Sequence, residues 1–373
     1  MPNVGKSTLF NALLRRQPSF AEASVGQAGS GGARIGNYPF TTIEPNVGVI
    51  PVPDERLSKL QQVIQVAEQV EHVPMVPATI RFVDIAGLVK GAAEGAGLGN
   101  KFLSHIREVD LICEVVRAFP DGEIIREGST EPKGDIEIIN MELILADIQT
   151  LENQESGIRN PFGLAQGGQG TVRQNAVKKL TDWLNQGRLA SEVALTDEEG
   201  EAVKELQLLT VKKFVYAFNV NTASEWAGLQ EITNSLGSEG KNVVVVDAKL
   251  EAELSILSPD EQEEYLESLG VKDSGVNALI RTAYSGLDLI SFLTAGVKEV
   301  RAWPIPKGTK APAAAGTIHT DFEKGFIKAE VVDYEDFIRY NGWVGAREKG
   351  KARIEGKDYL MKDGDVVEFK VNA

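Results

Sequence analysis

Apolar residues recur at helical spacing from Thr8 to Arg16, and then the pattern lapses. From Gln17 to Gly36 the chain is rich in Ser, Ala, Gly and Gln with no apolar period, the texture of a mobile loop. A second helical pattern runs from Glu55 to Val70. Ala78-Thr79-Ile80-Arg81-Phe82-Val83-Asp84 then reads as a strand that delivers an aspartate at its C-terminal end. A helix from Asn100 to Asp110 and a buried strand from Leu111 to Ala118 continue the alternation. Strands at Phe214–Asn219 and Val243–Asp247, each followed by a helical pattern, complete it. Such alternation predicts a parallel α/β sheet, whose ligands bind at the C-terminal strand ends.

Two long helical patterns with polar faces interrupt this order, Asp135 to Gln154 and Thr171 to Gly187, joined by the Gly-rich stretch Asn160–Gly170. They predict a protruding helical hairpin. Asp197-Glu198-Glu199 opens a third helix running to Leu209, because carboxylates in a first turn complement the helix dipole. Beyond about Phe292 the texture changes to short strands and turns, among them Gly316-Thr317-Ile318-His319, Phe326 to Val332 and Lys362 to Phe369. This predicts a separate small β-rich domain.

Length and charge narrow the picture. The 373 residues exceed one average domain, so two or three are expected. Against 39 Lys and Arg stand 54 Asp and Glu, which excludes a protein held on nucleic acid mainly by its overall charge. Local basic patches are the remaining route to RNA, and Arg347, Lys349, Lys351, Arg353 and Lys357 form one, although charge runs are more often solvated faces. The single cysteine, Cys113, lies in the apolar run Leu111-Ile112-Cys113-Glu114-Val115-Val116 and reads as a buried strand residue in a reducing compartment. No apolar run approaches the ~20 residues that cross a bilayer, and no charged-then-apolar leader opens the chain. No membrane contact and a cytoplasmic location are therefore expected.

The strongest chemical signal is Pro2-Asn3-Val4-Gly5-Lys6-Ser7-Thr8, immediately before the first helix. This is most of a phosphate-binding P-loop. Successive backbone amides at a helix N-terminus cradle phosphate oxygens, Lys6 adds positive charge for the outer phosphates, and the Ser7 hydroxyl suits magnesium. Glycine at position 5 leaves room for that approach. The first glycine of the pattern, and the strand that launches such a loop, would fall before Met1, so the chain is expected to begin inside its own motif. Asp84-Ile85-Ala86-Gly87 follows at the right order and distance. An aspartate there holds magnesium through water, and the glycine amide senses a terminal phosphate. Thr42 is placed as a further magnesium ligand, with Thr41 as its structural rival.

Two departures bear on chemistry. After Gly87, where GTPases of this architecture commonly place a water-orienting glutamine, the chain has Leu88, which neither orients water nor stabilises charge. Guanine recognition would need a strand-end Asn-Lys-x-Asp, and the candidate segment here is Asn219-Val220-Asn221-Thr222. Without the Lys and Asp, guanine specificity loses its basis and adenine is favoured. Asn219 is available to the base or to the P-loop, with the backbone of Val220 against the base edge and Asp247-Ala248-Lys249 completing the pocket.

With these residues assembled, the chain resembles the YchF/Obg-like ATPase family of translation-factor-related P-loop proteins over nearly its whole length. The resemblance is carried by Asn37-Tyr38-Pro39-Phe40, Ile43-Glu44-Pro45-Asn46, Asp84 to Ala92, Gly97-Leu98-Gly99-Asn100-Lys101-Phe102-Leu103 and Ala295 to Trp303. It implies an α/β P-loop GTPase-type sheet in residues 1–134 and 210–291. A helical coiled-coil domain is inserted at 135–209, and a C-terminal β-rich TGS domain of β-grasp type occupies 292–373. It also implies ATP hydrolysis preferred over GTP, with Mg2+, and association with the ribosome, with RNA contact through the helical or TGS domain. Asn3 to Thr8 match the family's phosphate loop, Ser7 and Thr42 its magnesium ligands, and Asn219 with Val220 its altered base-recognition segment. A loop histidine proposed to aid hydrolysis is replaced here by Arg126, which stabilises phosphate charge but is a poor base at neutral pH. His105 reads as a satisfied helix residue rather than its substitute. The competing expectation is a catalytically weak or inactive ribosome- or RNA-binding scaffold.

Overall fold

The computed structural model describes residues 4–16, 46–85, 98–118, 132–158, 168–221 and 242–372. These form two compact units. One contains residues 4–15 and 46–48 and the described parts of 83–279, and the other contains Arg16, 49–82 and 280–372.

The first unit opens with helix α1 (Lys6–Arg15), which buries Leu9, Phe10, Ala12 and Leu13 along one face. Strand β1 (Asn46–Pro51), helix α2 (Arg56–Glu68), strand β2 (Met75–Val76) and strand β3 (Thr79–Asp84) follow in the chain, with β1 and β3 paired as a two-stranded sheet. Helix α3 (Leu98–Arg107) leads into strand β4 (Leu111–Arg117). Helices α4 (Pro132–Ile158), α5 (Gly168–Leu184) and α6 (Asp197–Val203) then precede strands β5 (Lys213–Asn219) and β6 (Val243–Val246). β4, β5 and β6 form a parallel sheet in that order. Arg117 is in register with Asn219, and Asn219 with Val246, so the three C-terminal ends are level. Helices α7 (Ala248–Leu254), α8 (Pro259–Ser268) and α9 (Gly275–Gly286) complete the series. Local sequence sets these starts. Ser258 and Glu261 form a capping box with Pro259 in the first turn of α8, and Thr196 with Glu199 does the same for α6.

Helix α4 is long enough to serve two cores. Its first half contributes Ile136, Ile139 and Leu143 to a cluster with Phe214, Tyr216 and Phe218 of β5. Its second half packs Ile144 and Leu151 against Ala176, Val177, Leu180 and Leu184 of α5. Buried Asp147 ties the two regions, accepting hydrogen bonds from the amides of Leu209 and Thr210, both at 2.8 Å, and from the Thr210 hydroxyl at 2.6 Å. The third helix expected through Leu209 stops at Val203, and a 3-10 turn over Lys204–Leu206 ends with Gln207 in the left-handed region. The loop expected at 17–36 and residues 160–167 of that expected at 160–170 lie outside the described residues, and Gly168 to Gly170 instead begin α5.

The second unit is a six-stranded sheet. Strands β7 (Leu289–Ala295), β8 (Val300–Pro306), β9 (Phe326–Asp333), β10 (Arg353–Glu355) and β11 (Asp365–Val371) join β2 in the order β10-β9-β11-β7-β8-β2. Helices α10 (Ala311–Ile318), α11 (Thr320–Lys324), α12 (Tyr334–Arg339) and α13 (Trp343–Glu348) fill the connections. Phe292, Trp303, Ile305, Phe326, Val331 and Val367 form its core with the alanines of α10.

Two expectations need correction. Gly316–His319 is not a strand. Alanine-rich α10 begins with a proline in its first turn and runs to Ile318, and the His319 ring then accepts from the Asp321 amide to start α11. The strand expected from Lys362 begins at Asp365, because Gly364 turns the chain at φ +82°. Residues 49–82 join the C-terminal segment, since β2 pairs with β8 and α2 buries Leu57, Leu60 and Ile64 against the same unit.

Candidate nucleotide site

The site is built at the C-terminal ends of β3, β5 and β6, where the start of α1 meets them. Gly5 has φ +90°, which alone favours glycine, and a Cβ there would lie 2.3 Å from Asn219 Nδ2. Both constraints select the same residue. Asn219 is buried and spans two segments: its Nδ2 donates to the Val4 carbonyl at 3.0 Å, and its Oδ1 accepts from the Ala248 amide at 3.1 Å. One side chain therefore fixes the loop to the start of α7. Of the two roles open to Asn219 in the sequence, loop support is the one these bonds supply.

On the other side of the loop, Lys6 Nζ sits 3.0 Å from Asp84 Oδ1 and donates to the Ile85 carbonyl. The contact with Asp84 is an ion pair without hydrogen-bond alignment, so that buried oxygen accepts no hydrogen bond. Ser7 and Thr8 are exposed at the first turn of α1. Val220 is buried, and its amide is committed to the Val246 carbonyl at 2.9 Å, which leaves its carbonyl as the backbone group able to meet a base. Asp247 accepts from the amides of Lys249 and Leu250, both at 3.0 Å, and so caps α7.

A magnesium ion with nucleotide fits this donor set. The hydroxyl oxygen of Ser7 is a hard ligand that such an ion takes alongside phosphates, and the Asp84 oxygen that lacks a hydrogen bond is free to accept from a water bound to the ion. Asn3, Thr41, Thr42, Leu88 and Arg126 lie outside the described residues, so the structure brings together Val4, Gly5, Lys6, Asp84 and Asn219 of the predicted set. His105 is half-buried on α3. The site's bond from Asn219 to Ala248 has no signature in the local sequence.

Behind the site, the sheet carries a buried acid. Glu114 of β4 lies opposite Tyr216 of β5, both of its oxygens lack hydrogen-bond partners, and burial pushes its carboxyl up to about 8, with nearby Asp135 adding to the shift. Half-buried Cys113 is next to it, and burial pushes its thiol up to about 12. The basic cluster of the second unit is largely neutralised. Arg347 is bidentate to Glu330 and also reaches Glu368, Lys351 pairs with Asp336, and Arg353 pairs with Asp333 and Glu355. Lys349 and Lys357 are the two members without a carboxylate partner among the described residues. Trp343 packs edge-on against Phe337, and its indole donates to the Ala295 carbonyl at 3.1 Å. No helix among the described residues is long and apolar enough to cross a membrane.

A loop anchored between strand-end Asp84 and Asn219, ahead of an amphipathic helix on a parallel sheet, defines a P-loop NTPase of GTPase type. Residues 1–150 match a family model described as 50S ribosome-binding GTPase, and residues 289–372 match YchF-GTPase_C, described as a protein of unknown function. The ribosome-binding ATPase YchF of Bacillus subtilis is 44% identical over 100% of this chain and 98% of its own length. The protein of that name from Haemophilus influenzae is 45% identical with the same coverage. Among solved structures, the YchF GTPase of Schizosaccharomyces pombe superposes with a TM-score of 0.81 at 35% identity, covering 99% of this chain and 96% of that one. A GTP-binding protein from Pyrococcus horikoshii shares the fold at TM-score 0.55 and 18% identity, covering 100% of this chain and 98% of that one. The chain belongs to the YchF family.

Proposed function

We propose that this protein is a Mg-dependent ATPase that prefers ATP to GTP and engages the ribosome as a regulator of translation or stress response in the cytoplasm. The observation that carries the reading is the P-loop held between Lys6–Asp84 on one side and Asn219–Ala248 on the other. The Asn219 bonds to Val4 and Ala248 hold the loop backbone in place for phosphate, and the Lys6 side chain is the group that has to move. The altered segment Asn219-Val220-Asn221-Thr222 supports adenine, because no carboxylate stands where guanine nitrogens would be read.

In this reading Lys6 leaves Asp84 and Ile85 for the outer phosphates, and the amides of Val4 to Thr8 bind the phosphate oxygens. Ser7, Thr42 and, through water, Asp84 would hold magnesium, and the ion would supply charge neutralisation at the outer phosphates. Water attacks the terminal phosphorus, the bond to the bridging oxygen breaks, and ADP and phosphate leave. With Leu88 in place of a glutamine, Lys6 and Arg126 supply the charge stabilisation. Ribosome binding is supported by the names of the relatives. An RNA contact through the C-terminal basic cluster is weakened by its internal pairing, which leaves two lysines for phosphates.

Calorimetric titration of ATP and GTP with magnesium, on the full chain and on Lys6→Ala, tests the assignment. ATP-selective binding that disappears in Lys6→Ala is expected. Equal affinity for GTP would remove the adenine part, and no binding by the folded parent would remove the whole reading.

A further inference from the structure

Between Thr42 and Asp84, the two segments assigned to magnesium, the chain makes an excursion. It enters the second unit at Val49 and returns to the first at Val83, next to Asp84. The neck of this excursion is closed by the pairing of β1 with β3 and by the bond from the Val52 amide to the Ala78 carbonyl at 2.7 Å. Its body is fixed to the C-terminal sheet. Met75 and Val76 pair with Val300 and Arg301, the Val300 amide donates to the Pro74 carbonyl at 2.9 Å, and Leu60 and Ile64 are fully buried.

Charge secures the start of α2. Arg56 donates to both oxygens of Asp54 and to Oδ2 of Asp363, each at 2.8 Å. The other oxygen of Asp363 accepts from the Ser291 amide at 2.8 Å, and the Ser291 hydroxyl meets Tyr284 OH at 2.7 Å. Gly364 leaves the space: a Cβ there would lie 2.9 Å from Arg56 Nη1. The guanidinium is thus bonded into β7 and the turn before β11, across 307 residues of chain.

We propose that the Asp54–Arg56–Asp363 latch makes residues 49–82 the route by which nucleotide state reaches the C-terminal unit. The proposal rests on the nucleotide reading above. Lys6 grips the end of β3 through Asp84 and Ile85, and a phosphate that draws Lys6 away releases that end. The Lys6–Asp84 pair, made or broken, is the two-state element such coupling requires. Because the excursion is bonded at its neck, along β2 and at Arg56, a displacement of β3 is delivered to β7 and β8 instead of being absorbed in a loose loop. Linkage makes the effect reciprocal: a partner bound to the C-terminal unit shifts nucleotide affinity by the same factor.

Hydrogen exchange of the full chain with and without MgATP, run beside calorimetry, tests this. In the parent, amides at 79–84 and at 289–306 are expected to change rate by about tenfold when ATP binds. In Arg56→Gln, ATP still binds and the change at 79–84 remains, while that at 289–295, the strand the latch reaches through Asp363 and Ser291, is lost. Asp363→Asn keeps an acceptor for Ser291 but removes the charge, and serves as the second variant should the first fail to fold. ATP bound by the parent with no change at 289–306, or both variants transmitting like the parent, overturns the proposal. Calorimetry that detects no ATP on the folded parent removes the nucleotide reading itself, a result separable from the other two.

Discussion

Replacing Glu114 by glutamine should remove a pH-dependent loss of stability. Glu114 is 5% exposed, faces Tyr216 across the sheet and has no hydrogen-bond partner for either oxygen. Burial raises its carboxyl from 4.5 to about 8, so the folded chain holds the proton while the unfolded chain releases it. Below pH 4.5 both states are protonated and nothing is lost. As pH rises toward 8, stability falls by 1.36 kcal/mol for each unit, which amounts to about 3 kcal/mol at pH 7 and about 5 kcal/mol above pH 8. Glu114→Gln does not titrate and should lose none of this, although its amide is buried in the same apolar surroundings. Glu114→Leu, which also removes the unpartnered polar atoms, should be the most stable of the three. Urea denaturation at a series of pH values reads the effect as a gap between parent and variant that widens from pH 5 to pH 8 and then levels off. Parallel curves across that window would refute the reasoning, because they would mean the carboxyl finds solvent or a partner on ionising.

Two further substitutions probe the site and its support. Gly5→Ala combines a left-handed backbone with a Cβ driven into Asn219, so nucleotide binding should be lost and melting lowered, by about 1–3 kcal/mol for the strain alone; calorimetry and thermal scans check both. Asp147→Ala leaves the amides of Leu209 and Thr210 and the Thr210 hydroxyl without their acceptor, at a cost of about 1–3 kcal/mol for each buried group left unpaired. A melting temperature equal to the parent's would show that water replaces the carboxylate.

Much of the first unit was legible because its signals are local. The P-loop, the strand ending at Asp84, and strands β4 and β5 each declare themselves within a dozen residues through periodicity and glycine placement. What escaped was long-range. Arg56 looks like an ordinary helix residue, and its partner Asp363 lies near the other end of the chain. Arg347, Lys351 and Arg353 read as a basic patch because the carboxylates that neutralise them, Glu330, Asp333 and Asp336, belong to a different segment. Gly316–His319 looked like a strand in isolation, whereas the preceding alanines and Pro312 had already committed the chain to a helix. Asn219 stands out at a strand end in the sequence, but its bonds to Val4 and Ala248 depend on how three distant segments meet.

The interleaving of residues 49–82 with the C-terminal segment also changes what a modular boundary means in this chain. The segment matched by the C-terminal family model, 289–372, leaves out residues 49–82, which pack with it. Cut out at those limits it would carry a bare β8 edge where β2 belongs, an uncovered seat for Leu60 and Ile64, and Asp363 without its arginine. A single crossover at those limits would separate β2 from β8 and Arg56 from Asp363. Any recombination that moves the whole unit must carry the 49–82 segment along, which ties its inheritance to that of the nucleotide site on either side.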